Sequence, residues 1–165
     1  TIYLQLDELL YFILVWKWGM FVNDDKYAGI RLDNQLCFPL YVCSKEIVRK
    51  YKPFLDELNL TYTQYIAMMV LWEKKEVTVT ELGNRLYLDS GTLTPLLKKL
   101  EQKGYVTRKR MESDERNVCI SITAKGDELK EEAVKIPKKI RCCMTLDDNE
   151  AKVLYSILHK VLDNF

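Results

Sequence analysis

The sequence predicts a mainly α-helical fold with a small β wing, a winged helix-turn-helix. Three observations carry this. Two short apolar-periodic helices, 79–86 and about 90–100, are separated by a tight polar turn. A strand-like stretch, 105–110, and an alternating one, 118–122, follow directly, as a wing follows its helices. Amphipathic helical stretches flank this centre on both sides.

The first predicted helix opens at Asp33 and runs to about Lys52, with Leu36, Leu40, Ile47 and Tyr51 near helical spacing. Pro39 falls inside it, where a missing amide predicts a kink two residues after Cys37. Thr61 and Thr63 offer caps for a second helix whose apolar face is Tyr65, Met68, Met69 and Trp72. Glu73–Glu76 reads as a polar connection. Asp89 and Ser90 cap the helix carrying Leu93, Leu96, Leu97 and Leu100, and Gly104 is placed to end it. Met111–Arg116 reads as the turn of the wing. Thr123 then caps a long charged helix with Leu129, Ala133 and Ile136 inside, interrupted at Pro137. A last helix begins near Thr145, with Leu154, Ile157, Leu158 and Val161 on one face.

This divides the chain into an extension, 1–31, and a single domain, 32–165. Within it, 61–123 is the winged helix-turn-helix, and 32–60 and 124–165 are helices whose apolar faces predict a two-fold homodimer. The run Leu9–Trp16 is eight residues long, against about 18 for a membrane span, so no membrane partner is expected. Two readings of residues 1–19 stand, an extension ahead of Met20 or an extra amphipathic helix on the dimer.

Composition excludes several classes. The 165 residues carry a net charge of +1, so any nucleic-acid footprint must be local. The five cysteines, Cys37, Cys43, Cys119, Cys142 and Cys143, form no CxxC pair, and His159 is the single histidine, so no metal site is expected. Nor is there a nucleotide fingerprint, and no cofactor is expected. An odd, irregular cysteine set in a chain able to bury its own core points to a cytoplasmic protein with reduced thiols. A special cysteine there is reactive rather than structural.

The centre carries the features expected of a double-stranded DNA reader. The first turn of the second short helix carries Ser90, Gly91, Thr92 and Thr94, small groups that allow close approach to base edges in a major groove. Lys98 and Lys99 lie further along and suit phosphates. The wing adds Arg108, Lys109, Arg110 and Arg116. From Lys98 to Arg116 there are seven Lys/Arg against four Asp/Glu, a local basic excess in a nearly neutral chain. Arg116, near the hairpin tip, suits a narrow minor groove, with Asp114 two residues earlier to orient it.

The segment LDSGTLTPLLKKLEQKGYVTRKR (88–110), followed by DER (114–116), resembles the MarR family of winged helix-turn-helix regulators. Upstream, LDNQLCFPLYVCSKEIVRKYKPFLDELNLTYTQY (32–65) resembles the organic hydroperoxide resistance regulators, OhrR, a branch of that family. The resemblance covers about residues 32–142. It implies a MarR-like dimer with a helical dimerisation region, a repressor released from a pseudo-palindromic operator when organic hydroperoxide oxidises one cysteine. Cys37 matches that cysteine. Tyr41, Tyr51 and Tyr62 match the tyrosines that hydrogen-bond its thiolate. Ser90, Thr92, Thr94, Arg108 and Arg116 match the DNA contacts. Cys142, five residues after Pro137, matches a cysteine that resolves the oxidised thiol across the dimer in one subclass, with Cys143 adjacent. Cys43 and Cys119 read as structural. Pro39 departs from the family pattern.

The chemistry of these residues agrees. The thiolate is the reactive form of cysteine, and a helix N-terminus favours it. Peroxide converts it to a sulfenic acid, which condenses with a second thiol. Two rivals are a MarR-type regulator answering to a small aromatic ligand, and a thiol peroxidase using Cys37 in turnover. The chain offers no general base for the second, and no enzyme is expected.

Overall fold

The computed structural model describes residues 26–111 and 114–165, with the side chains of residue 111 and of 114–117 left aside. The reading of Leu9–Trp16 lies outside these residues. The chain divides into two compact units, Thr1–Glu46 and Ile47–Phe165, and the division falls within one helix.

In the first unit, two short 3-10 turns, Ala28–Ile30 and Leu32–Asn34, precede helix α1, Cys37–Glu57. The turns are tied back on themselves: Asn34 Nδ2 donates to the Ala28 carbonyl (2.7 Å) and Gln35 Nε2 to the Gly29 carbonyl (2.6 Å). Asp33 therefore lies in a 3-10 turn and does not open the helix, contrary to the sequence expectation. Cys37 is the first residue of α1. This places Pro39 in the first turn, where amides have no intrahelical partner and a proline costs little. The predicted kink thus loses its cause. At the other end α1 continues through Pro53 to Glu57 rather than stopping at Lys52. Leu55 and Leu58, both buried, reward that extra turn.

The second unit contains α2 (Tyr62–Lys74), strand β1 (Glu76–Thr78), α3 (Val79–Leu86), α4 (Ser90–Gln102), β2 (Val106–Met111) and β3 (Asp114–Ile122). Thr61 caps α2 in a reciprocal box with Gln64, and Thr78 caps α3 likewise with Glu81. Gly104, at φ +74°, ends the stretch after α4 in the left-handed conformation that favours glycine. The sheet is antiparallel in the order β1-β3-β2, with Val77 opposite Ile120 and Arg108 also opposite Ile120. The core joins these layers. Met68 and Leu71 of α2, Leu82 of α3, Leu93 and Leu100 of α4 and Ile120 of β3 are almost fully buried. Trp72 donates its indole N–H to the Gly126 carbonyl at 2.9 Å, so its polar edge is satisfied inside that core.

After the sheet, the path predicted as one long helix is three short ones: α5 (Ala124–Glu128), α6 (Lys130–Ala133) and α7 (Ile136–Arg141). Thr123 caps the first, as expected, accepting from the Gly126 amide at 3.0 Å. Ala133, Ile136 and Ile140 are buried, so the inward face persists across the breaks. Pro137 sits in the first turn of α7, where it initiates a helix rather than ending one. Helix α8, Asp148–Leu162, starts three residues after Thr145. Asp147 caps it, accepting from the Asn149 and Glu150 amides. Every residue of α8 is exposed within the chain, including Leu154, Ile157, Leu158 and Val161. Among the described residues no helix is long and apolar enough to cross a membrane.

Candidate DNA-reading head and thiol site

The helix-turn-helix is α3, a left-handed Tyr87 (φ 53°), and α4. The sequence places α4 by its leucines. Leu93, Leu96, Leu97 and Leu100 are buried against the unit, which leaves Ser90, Thr92, Thr94, Lys98 and Lys99 exposed along the outer face. The cap of α4 also sets the chemistry of that face. Asp89 accepts from the Thr92 amide (2.9 Å) and from the Thr92 hydroxyl (3.0 Å). These bonds, the amide's first, hold the Asp89 carboxyl below its usual range. The Thr94 hydroxyl donates to the Ser90 carbonyl at 2.7 Å. Both threonine protons are committed, so each hydroxyl faces outward as an acceptor.

The wing is β2 and β3. Met111 pairs with Asp114, so both strands extend into the stretch expected to turn, with a register irregularity between Arg110 and Met111. Lys109 and Arg110 are exposed. Asp114 and Arg116 fall in β3 beside the turn, and their side chains lie outside the described residues. Arg108 is different. Its guanidinium is turned toward α4, with Nη1 3.6 Å from Glu101 Oε2. The sequence reading missed Glu101, whose signal there was only its place in the last turn of α4.

The predicted thiol-site residues fall in separate parts of the chain. Cys37 is exposed at the start of α1, and Tyr41, one turn on, is exposed with Lys45 Nζ 5.6 Å from its ring centre. In the second unit Tyr51 and Tyr62 meet edge-on at 5.0 Å, and Tyr65 lies 5.9 Å from Tyr51. Burial pushes the Tyr51 phenol above the ordinary tyrosine range, and Tyr62 adds to it, so Tyr51 is a neutral donor at ordinary pH. Cys142 and Cys143 follow α7 and are exposed, with the Cys143 thiol 3.5 Å from the Lys139 carbonyl. Cys119 is half-buried on β3. Burial, and then the neighbouring Glu76, push its thiol up, which suits the structural role expected of it. Cys43 is exposed on α1. Among the described residues no group of three or more His, Cys, Asp or Glu is placed to hold a metal ion.

Two helices across a tight turn, the second with an open polar face, and a two-stranded wing define a winged helix-turn-helix protein. Residues 49–133 match the family of the SarA/Rot transcriptional regulators. The chain is 50% identical over 140 residues to the organic hydroperoxide resistance transcriptional regulator of Bacillus subtilis, covering 85% of this chain and 95% of that one. Reduced AbfR bound to DNA superposes with a TM-score of 0.70 at 37% identity, over 84% of this chain and 96% of that one; AbfR has also been solved from Staphylococcus epidermidis. A cysteine-to-serine mutant of Escherichia coli MarR complexed with operator DNA gives 0.73 at 25% identity, over 84% and 99%. The chain belongs to the MarR family of winged helix-turn-helix regulators, in the branch of the organic hydroperoxide resistance regulators.

Proposed function

We propose that this chain is a homodimeric, redox-sensing transcriptional repressor, released from its operator when organic hydroperoxide oxidises Cys37. The observation that carries this is Cys37 itself: an exposed thiol on the first residue of a 21-residue helix, open to a peroxide from solvent. The thiolate attacks the outer oxygen of ROOH. The O–O bond breaks, ROH leaves after taking one proton, and Cys37 becomes a sulfenic acid. The thiol of Cys142 in a second copy then attacks that sulfur. A disulfide forms and water departs. Tyr41, Tyr51 and Tyr62 are the donors assigned to the thiolate, and Cys143 stands beside Cys142 as a second resolving thiol.

The DNA contacts follow from the exposed face of α4 and from the wing. Ser90, Thr92 and Thr94 meet base edges, Lys98, Lys99 and Arg110 meet phosphates, and Arg116, oriented by Asp114, enters the minor groove. The uncovered face of α8 is buried in the dimer, which sets two reading heads on half-sites about 10 base pairs apart. AbfR has been solved overoxidized and bound to DNA, and separately in a disulfide form. By analogy, oxygens on the sulfur leave binding intact here, and the disulfide releases it by favouring a dimer shape with lower affinity for DNA. The protein acts as a cytoplasmic regulator and not as an enzyme.

The test is a duplex selected from a random pool by the reduced protein. One equivalent of cumene hydroperoxide should release it, and dithiothreitol should restore binding. A complex indifferent to peroxide overturns the redox reading and leaves the DNA-binding one.

A further inference from the structure

Arg108 lies on the side of β2 that faces the helices. Strand side chains alternate, so Arg108 shares its face with Val106, which is 1% exposed, and with Ile120 directly opposite, which is fully buried. Thr107 and Lys109 take the other face and are exposed. The Arg108 side chain is 22% accessible, its Nη1 lies 3.6 Å from Glu101 Oε2, and its Nε is buried without an acceptor among the described residues. A guanidinium so placed is turned toward α4 rather than toward open solvent. The open cations on the same strand are Lys109 and Arg110.

The chain between α4 and β2 is short and turns at the left-handed Gly104. Glu101 is in the last turn of α4 and Arg108 is the third residue of β2, so their pair spans that turn. We propose that Arg108 is a positioning residue: its ion pair with Glu101 locks the root of the wing to α4, so that helix and wing engage DNA as one body. This rests on the DNA-binding reading above, and it assigns Arg108 a role through Glu101 instead of the direct DNA contact expected from the sequence.

The experiment measures affinity for the selected duplex by fluorescence anisotropy, at several salt concentrations, with thermal melts to verify folding. Arg108→Gln and Glu101→Gln should each weaken binding about three- to tenfold, with the double variant no worse than either single one. The slope of log affinity against log salt should stay that of the wild type. Arg108→Lys should recover part of the loss, as should the charge swap E101R/R108E. A slope reduced by about 0.9 per protomer in Arg108→Gln, with Glu101→Gln neutral and the swap inactive, would mean that Arg108 neutralises a phosphate, and would overturn the proposal. A wild-type protein that selects no duplex overturns the DNA-binding reading itself, and this inference with it.

Discussion

Asp89 takes both the amide and the hydroxyl proton of Thr92, at 2.9 and 3.0 Å, so one carboxylate caps α4 and fixes the polarity of its outer face. A hydroxyl whose proton is committed reads a base as an acceptor. Its natural partners are the exocyclic amines of adenine and cytosine in the major groove.

Thr92→Val should therefore weaken binding to the selected duplex by about fivefold, the worth of one hydrogen bond. The loss should vanish on a duplex in which the contacted adenine is replaced by purine, which lacks the amine. Equal loss on both duplexes, in anisotropy titrations, would contradict the acceptor role.

The caps also predict a pH dependence. Asp89 is held below the usual carboxylate range by the Thr92 amide and hydroxyl, and Glu81 by its bonds from Thr78. A depressed carboxyl stabilises the fold fully above its unfolded value, near 4, and loses that contribution as pH falls through the folded value. The thermal midpoint should thus decline below about pH 4. Asp89→Asn should flatten part of that decline while lowering the midpoint at neutral pH. Parallel profiles for wild type and variant would show that the cap contributes nothing.

Gly83 marks the close approach of the turn onto α3. A Cβ there would lie 2.7 Å from the Leu88 carbonyl oxygen and 3.2 Å from Leu93 Cδ1. Gly83→Ala should cost about 1–3 kcal/mol in urea unfolding and weaken DNA binding by tilting α4. Unchanged stability would mean that the turn yields freely.

The adjacent thiols of Cys142 and Cys143 can be separated on a non-reducing gel. After one equivalent of organic hydroperoxide, the wild type should run as a covalent dimer. Cys142→Ser should lose most of that band and Cys143→Ser should keep it. A dimer band persisting in Cys142→Ser but absent from Cys143→Ser would exchange the two roles. No band in any of them would mean that a small external thiol caps the sulfenate.

The sequence displayed the helix-turn-helix plainly because its signals are local. Thr61 with Gln64, Asp89 before a leucine-spaced helix, Gly104 after it and Thr123 before α5 all sit in the structure where capping chemistry puts them. What escaped was set partly by contacts distant in sequence and partly by local closures and proline placements that no residue pattern announces. Strand β1 is three residues long and exists because Glu76–Thr78 pairs with Cys119–Ser121. Cys37, and not Asp33, begins α1 because the preceding residues close into 3-10 turns held by Asn34 and Gln35. Pro53 reads as a stop, yet burial of Leu55 and Leu58 carries the helix past it. Pro137 reads as an interruption but opens α7. The thiol and tyrosine positions came from family resemblance, since nothing in spacing alone sets Cys37 apart from Cys43. Arg108 reads in the sequence as a DNA contact, and only the alternation of its strand places it beside Glu101.

Sensing by Cys37 is measured most directly as release of the selected duplex by a single equivalent of cumene hydroperoxide, compared between wild type and Cys37→Ser. Both should bind the duplex with similar affinity when reduced; peroxide should free the wild-type complex, and Cys37→Ser should stay bound. If Cys37→Ser releases the duplex as readily as the wild type, Cys37 is not the sensor.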